Sequence, residues 1–192
     1  MELLQERIRR EGRVLPGNIV KVDGFLNHRV DTRLLEDIAD EFAKYFDTSK
    51  ITVVLTAEAS GIALATICAQ KYGVPMLFAK KAKSDNIEGG LYQSDIYSYT
   101  YKKKVTLLVS KEWLSSDDKV LVIDDFMANG EAMRGLCDIV TAAGATLVGI
   151  GCAVEKGFQG GGDRLRAAGV NLKSLAIIES AEPGHIVFRD DD

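Results

Sequence analysis

The chain has 192 residues, of which 46% are hydrophobic and 27% are charged, and its formal net charge at pH 7 is −4. This length and composition predict one sizeable folded domain and exclude a disordered chain. The acidic balance argues against a nucleic-acid-binding protein, and no run approaches the ~18 apolar residues that would cross a membrane. The charged N-terminus lacks the apolar core of a signal peptide. The three cysteines lack metal-ligand spacing, so we expect buried free thiols in the reducing cytoplasm.

The first 50 residues or so are predicted to form a small subdomain that covers the edge of a sheet. Residues 2–11 have the pattern of a helix that ends at Gly12, and residues 14–22 contain alternating apolar positions before a turn at Asp23–Gly24. A second helix is expected after Asp31, which is a plausible N-cap. Its apolar face is formed by side chains at helical spacing: Leu35, Ile38, Ala39, Phe42 and Phe46.

The rest of the chain alternates strand-like and helix-like segments. Predicted strands cover residues 51–56, 75–79, 120–123, 146–154 and about 172–178, and predicted helices cover 62–72, 131–143 and 163–168. This alternation predicts an α/β fold with a mostly parallel, doubly wound sheet. Ligands bind such sheets at the carboxyl ends of the strands. We therefore expect the loops at 57–61, 124–130 and 155–162 to line one crevice.

A polar, glycine-containing connection runs between residues 84 and 104, next to a cluster of three lysines. The cluster consists of Lys80, Lys81 and Lys83. Tyrosines at 92, 97, 99 and 101, followed by Val105, Leu107 and Val109, predict an extended β-ribbon. The connection is a candidate lid over an active site, although a plain flexible hairpin is an equally reasonable interpretation.

The most informative stretch begins at Val120. Four apolar residues predict a buried strand, Asp124 and Asp125 follow them, and a loop of small residues leads into a helix near Glu131. Free backbone N–H groups at the start of a helix can bind a phosphate. Ionised carboxylates accept hydrogen bonds, so they suit the hydroxyl groups of a sugar. Together these features predict a site for a phosphorylated sugar.

This stretch resembles the 5-phosphoribosyl-1-pyrophosphate (PRPP) motif of the type I phosphoribosyltransferases. The sequence Ala128-Asn129-Gly130-Glu131-Ala132 is most similar to the variant found in the xanthine-using members. The resemblance covers roughly residues 13–180. It implies the type I phosphoribosyltransferase fold in a single domain over residues 1–192, with residues 1–50 including a small N-terminal hood over the base and with a β-ribbon lid.

The resemblance also implies the reaction and its partners. The enzyme would transfer the 5-phosphoribosyl group from PRPP to xanthine in purine salvage, giving xanthosine 5′-monophosphate (XMP) and pyrophosphate. Mg²⁺ would be bound mainly through PRPP, without a dedicated protein metal site. The family further implies a homodimer in the cytoplasm, acting on small molecules and on neither nucleic acid nor membranes.

Residue roles follow from the same resemblance. The catalytic acids that bind the ribose hydroxyls would be Asp124 and Asp125. PRPP would be bound around its 5′-phosphate by Ala128, Asn129, Gly130, Glu131 and Ala132. Xanthine would be bound by Val20, Asn27 and Lys156, and the Lys156 ammonium, which can only donate, suits a carbonyl-bearing base over adenine.

Several interpretations stay open at the level of sequence. The loop at 58–61 either presents backbone N–H groups to pyrophosphate or is a helix start with Ser60 as its N-cap. Phe158 either stacks on the purine or packs in the core. The base could be hypoxanthine, guanine or adenine, or the protein could be a PRPP-sensing transcriptional regulator. The latter would need a DNA-binding module, and the N-terminal region shows no recognition helix with basic flanks.

Overall fold

A central sheet of six strands organises the molecule, and the computed structural model describes residues 1–81, 90–98 and 103–189. The helices are α1 (Glu2–Glu11), α2 (Thr32–Phe42), α3 (Gly61–Tyr72), α4 (Glu131–Ala142) and α5 (Gly161–Ala167). The strands are β1 (Arg13–Leu15), β2 (Ile19–Lys21), β3 (Val53–Ala57), β4 (Met76–Ala79), β5 (Leu91–Ser98), β6 (Lys103–Ser110), β7 (Lys119–Met127), β8 (Thr146–Lys156), β9 (Leu172–Glu182) and β10 (His185–Phe188). None of the helices within these residues is long and apolar enough to cross a membrane.

The strand order in the central sheet is β10-β9-β8-β7-β3-β4. Every neighbouring pair is parallel except β10 and β9, which confirms the predicted α/β fold with a mostly parallel sheet. The antiparallel edge strand β10 was not predicted. From β3 the chain moves to β4 at one edge, whereas β7 to β9 build the other half, so the topological switch point lies between β3 and β7.

The strand that carries the two acids is longer than predicted. It continues to Met127 because its last residues still pair with β8, for example Asp124 with Cys152 and Phe126 with Val154. The expectation that Asp124 and Asp125 follow the end of the strand is therefore wrong. Both acids lie within the strand, where they are buried.

Both faces of the sheet are covered, as expected for parallel strands. On one face, α2 and α3 pack with the N-terminal region over the sheet, and Phe25, Leu35 and Phe42 are fully buried there. On the other face, α4 packs with β6, burying Leu107 and Leu136. All five residues of β3 are buried, as expected for a strand that is covered on both faces.

The helix boundaries follow local chemistry. The Asp31 side chain accepts a hydrogen bond from the backbone N–H of Leu34 at 3.3 Å, which confirms the predicted N-cap of α2. Helix α3 ends at Gly73, whose φ of 71° is the left-handed conformation typical of helix termini.

The N-terminal region, residues 1–50, is built from α1, a short hairpin, an irregular turn and α2. The alternation predicted over residues 14–22 is resolved into two three-residue strands, β1 and β2, which pair antiparallel around a turn at Gly17–Asn18. Asp23–Gly24 begins a π-helical turn, Asp23–Asn27, which ends at one of the predicted site residues.

Strands β5 and β6 form the predicted β-ribbon, paired antiparallel from Leu91 and Ser110 to Ser98 and Lys103. The ribbon packs on α4 at close range, because a Cβ on Gly135 would lie 2.5 Å from Cγ2 of Ile96. Residues 84–89 of the predicted lid lie outside the described residues, as do Tyr99 and Tyr101.

Candidate active site

A cavity of about 220 Å³ lies at the carboxyl ends of β3 and β7, at the switch point. Its lining comes from the loop after β3, from Lys81, from the ribbon, and from the end of β7 with the start of α4: Ala57, Glu58, Ser60, Lys81, Ile96, Tyr97, Asp124, Phe126, Met127, Ala128, Asn129, Gly130, Glu131, Ala132 and Met133. Two of the three loops predicted to share a crevice therefore do so. The third, at 155–162, packs behind the turn at 128–130.

The turn at 128–130 depends on glycine for its conformation. Gly130 has φ of 77° and stands at the N-cap position of α4. A Cβ on Gly130 would lie 3.4 Å from the Cα of Gly161, so the two turns pack backbone against backbone. Gly130 is thus a conformational requirement of the turn as well as a point where a ligand can approach the main chain closely.

The start of α4 presents an anion-binding geometry to the cavity. The first backbone N–H groups of a helix have no partner within the helix, and the positive end of the dipole lies there. Glu131 would oppose an anion, but its carboxylate accepts hydrogen bonds from Arg134 Nη2 at 3.1 Å and from the backbone N–H of Tyr97 at 3.4 Å. The Arg134 hydrogen bond lowers the pKa of Glu131 and compensates its charge.

Asp124 borders the cavity with only 7% of its surface exposed. Burial, followed by the neighbouring charge of Asp125, raises the pKa of Asp124 well above its usual range. Gly61 at the start of α3 lies so close that a Cβ there would collide with Asp124 Oδ1 and Thr56 Oγ1. The Thr56 hydroxyl is buried and has no hydrogen-bond partner among the described residues.

Asp125 is almost completely buried and connects three parts of the fold. Its Oδ1 accepts a hydrogen bond from Ser60 Oγ at 2.8 Å, and its Oδ2 accepts one from Asn27 Nδ2 at 2.9 Å. Ser60 stands at the N-cap position of α3, as one of the two interpretations expected, but its side chain makes no capping hydrogen bond and binds Asp125 instead. A ribose hydroxyl that binds Asp125 has to share or replace one of these donors.

Of the residues predicted to bind the base, Lys156 lies beside Phe126 and Asn27 beside Asp125, and neither these two nor Val20 is among the residues that line the cavity. Lys156 ends β8, with Nζ 5.5 Å from the centre of the Phe126 ring, and it donates a hydrogen bond to the carbonyl oxygen of Asn18 at 3.3 Å. Burial lowers the pKa of Lys156. Val20 is buried in the hairpin two residues after Asn18, and Asn27 is held by Asp125 as described above. Phe158 packs against the core, which favours the core interpretation over stacking.

The lysine cluster is separated by the fold. Lys81 lines the cavity, and its backbone N–H donates to the Glu58 carboxylate at 2.5 Å. Lys80 forms an isolated β-bridge with Leu108, and Lys83 lies outside the described residues. The Glu58–Ala59 peptide bond in the same loop is cis.

Two further groups near the site were not predicted. Glu155 was expected to begin a loop, but β8 includes it, and its side chain is fully buried in an ion pair with Arg166. Arg164 donates hydrogen bonds to the main-chain carbonyls of Asn129, which lines the cavity, and Gln159, which lies in the turn packed behind it. The sequence signal for either was weak, since arginines in a short helix are usually solvated.

A model of the phosphoribosyl transferase domain matches residues 30–170 of the chain. The xanthine phosphoribosyltransferase of Lachnoclostridium phytofermentans is 52% identical over 193 residues, covering 100% of both chains. That of Bifidobacterium longum is 53% identical and covers 98% of this chain and 100% of the relative. The chain belongs to the phosphoribosyltransferase family.

Solved structures of phosphoribosyltransferases share the fold of this chain. The APRTase of Giardia lamblia complexed with 9-deazaadenine superimposes with a TM-score of 0.77 at 22% identity, covering 93% of this chain and 98% of the other. The adenine phosphoribosyltransferase of Saccharomyces cerevisiae has a TM-score of 0.74 at 17% identity, with 91% and 99% covered. The predicted type I phosphoribosyltransferase fold is confirmed.

Proposed function

We propose that this chain transfers the 5-phosphoribosyl group from PRPP to xanthine in purine salvage, releasing XMP and pyrophosphate. The observation that carries the proposal is the glycine turn at 128–130, which leads into α4 beside two buried acids at the switch point of the sheet. The choice of xanthine is supported by the names of the two relatives at 52% and 53% identity.

The 5′-phosphate is proposed to bind at the start of α4, to the backbone of Ala128, Asn129, Gly130, Glu131 and Ala132. The unpaired N–H groups and the helix dipole favour a dianion there. The contact of Glu131 with Arg134 supports this role, because it removes an uncompensated negative charge from the phosphate's surroundings.

The ribose is proposed to bind Asp124 and Asp125 through its hydroxyl groups. As pyrophosphate leaves, the anomeric carbon develops positive charge, and carboxylates in a buried site stabilise that charge more strongly than they would in water. Burial disfavours the ionised form of Asp124 and raises its pKa, and a positively charged carbon beside the carboxylate would stabilise that form. The raised pKa therefore supports this role.

The loop at 58–61 and Lys81 are proposed to hold pyrophosphate, because both line the cavity next to the ribose acids. We propose that Mg²⁺ enters mainly with PRPP. The hard carboxylate oxygen of Asp124 fits that ion, and within the described residues no three ligating side chains gather into a site of their own. When bound, Mg²⁺ would neutralise charge on the leaving pyrophosphate.

The base is proposed to bind between Lys156, Asn27 and the backbone near Val20. The Lys156 ammonium lies over Phe126 and can donate to a purine carbonyl. A pocket built to hydrogen-bond a polar edge rejects a base that lacks it by up to ~10⁴–10⁵-fold, because its own polar groups are left unpaired.

We further propose that the chain is one domain in which residues 1–50 close over the base and the ribbon with its connection forms a lid. We also propose that the protein works as a homodimer in the cytoplasm. The cysteines support a reducing compartment, because all three are free thiols, with Cys68 and Cys152 buried and Cys137 partly buried. Light scattering on the purified protein tests the dimer, and a monomer at working concentration would contradict it.

Pyrophosphate release tests the proposed reaction. The protein is assayed with PRPP, Mg²⁺ and, in turn, xanthine, hypoxanthine, guanine and adenine, and we expect the highest kcat/KM for xanthine. Another base as the best substrate would overturn the choice of xanthine but leave phosphoribosyl transfer intact. PRPP binding without turnover of any base would overturn the enzymatic function.

A further inference from the structure

Arg164 connects two turns that belong to different parts of the proposed site. Its guanidinium donates from Nη2 to the carbonyl oxygen of Asn129 at 3.1 Å and from Nη1 to that of Gln159 at 3.4 Å. Asn129 lies in the turn proposed to hold the 5′-phosphate. Gln159 ends the 3₁₀ turn Gly157–Gln159, which begins directly after Lys156. One exposed side chain therefore binds the main chain on the phosphate side and on the base side.

The helix that carries Arg164 is also in direct contact with the phosphate turn. A Cβ on Gly161, the first residue of α5, would lie 2.6 Å from the carbonyl carbon of Asn129 and 2.7 Å from the backbone nitrogen of Gly130. Real Cβ atoms do not approach this closely, so the glycine allows a backbone contact that any side chain would prevent. A shift of α5 would therefore displace the turn.

The same helix is anchored to the strand that ends in Lys156. Arg166 of α5 binds the Glu155 carboxylate with both guanidinium nitrogens, at 3.1 and 2.6 Å, and Ser174 donates to that carboxylate at 2.5 Å. Glu155 directly precedes Lys156 and has no exposed surface. A Cβ on Gly162 would collide with this carboxylate. Helix α5 thus lies between the end of β8 and the phosphate turn, in contact with both.

We propose that Arg164 is a positioning residue that sets the spacing between the base contact of Lys156 and the phosphate turn, an inference that rests on the proposed function. A nucleotide binds the base contact and the phosphate turn at the same time, so its affinity depends on the distance between them. The affinity of a fragment that binds only the phosphate turn does not depend on that distance. Arg164 acts through the carbonyl groups of Asn129 and Gln159 and touches no substrate.

Arg164→Met tests the proposal, because it removes both hydrogen bonds and keeps the apolar part of an exposed side chain. Isothermal titration measures the Kd of XMP and of ribose 5-phosphate for the wild-type protein and the variant, after circular dichroism has shown that both are folded. We expect the Kd of XMP to rise at least about tenfold, since the variant loses both hydrogen bonds that hold the two turns in place for a ligand that spans them. The Kd of ribose 5-phosphate should stay within about twofold.

Arg189→Met is the matched control. It removes the same charge from a residue that donates to Asp163 of α5, at 2.7 and 3.1 Å, and to Glu179 of β9. Its guanidinium lies beside Gly157, but none of these hydrogen bonds goes to either turn, so the two bridges of Arg164 stay intact. We expect its Kd values for both ligands to stay within about twofold of the wild-type values.

Three results would overturn the proposal. An unchanged Kd for XMP in Arg164→Met would show that the two bridges do not set the spacing. An equal loss for ribose 5-phosphate would make Arg164 a phosphate contact instead, and an equal loss in Arg189→Met would make the effect a general one of α5. Should the wild-type protein prefer another purine nucleotide to XMP, the base assignment fails, and the same comparison made with that nucleotide still decides the role of Arg164.

Discussion

Arg166→Met is expected to destabilise the protein strongly, because it leaves a buried carboxylate without its cation. The Glu155 side chain has no exposed surface, and the Arg166 guanidinium binds it through two nitrogens. After the substitution, the Ser174 hydroxyl is the one side-chain donor to Glu155 that remains among the described residues.

The size of the effect follows from these contacts. Breaking one side of a buried ion pair costs about 3–5 kcal/mol in the free energy of unfolding. The Arg166 side chain is 30% exposed, so water can reach the vacated position, and Ser174 keeps one hydrogen bond. Both facts place the expected loss near the low end, at about 3 kcal/mol. For a chain of this length each kcal/mol shifts Tm by about 2–4 °C, so Tm should fall by about 6–12 °C.

Urea unfolding followed by circular dichroism measures the loss in Arg166→Met and in the double variant Glu155→Met with Arg166→Met. The double variant removes the unpaired charge and should recover most of the stability, because replacing a buried ion pair with apolar residues is often neutral. Arg10→Met is the control, since Arg10 pairs with Glu11 on the surface and should change stability by about 0–1 kcal/mol. A loss below about 1 kcal/mol in Arg166→Met, or no recovery in the double variant, would refute the reasoning.

Two further predictions concern the reaction. Replacing Asp124 and Asp125 together by Asn keeps the shape of the side chains and removes their charge. Each charge-assisted hydrogen bond contributes about 1.5–3 kcal/mol, so turnover should fall by roughly two or more decades. Near-wild-type activity in the folded variant would remove these acids from the mechanism. Lys156→Ala should weaken xanthine binding and spare PRPP. Burial lowers the pKa of Lys156 from 10.5, and the side chain loses its positive charge as the pH rises through that lowered pKa. The wild-type kcat/KM for xanthine should therefore fall over this pH range, and the variant should lack the fall. Matching pH profiles would contradict the role of Lys156.

The sequence by itself determined the elements whose signals are local. Capping, left-handed glycine and apolar patterns among neighbouring residues predict the helix after Asp31, the end of α3 at Gly73 and the apolar first half of β7. The turn at 128–130 belongs to this group, because one continuous segment contains the strand, the acids, the glycine and the helix start. The type I phosphoribosyltransferase fold was predicted from that segment and is confirmed.

Only the tertiary structure decided which of those groups meet and where strands stop. Asn27 and Ser60 reach Asp125 across 98 and 65 residues of sequence, and no local pattern marks such a contact. Strand β7 includes its acids because β8 continues beside it, and Glu155 is buried because α5 brings Arg166 onto it. Pairing partners and burial depend on how separate elements pack. Glu155 is therefore predicted from local pattern to lie in a loop, whereas in the folded chain its carboxylate has no exposed surface.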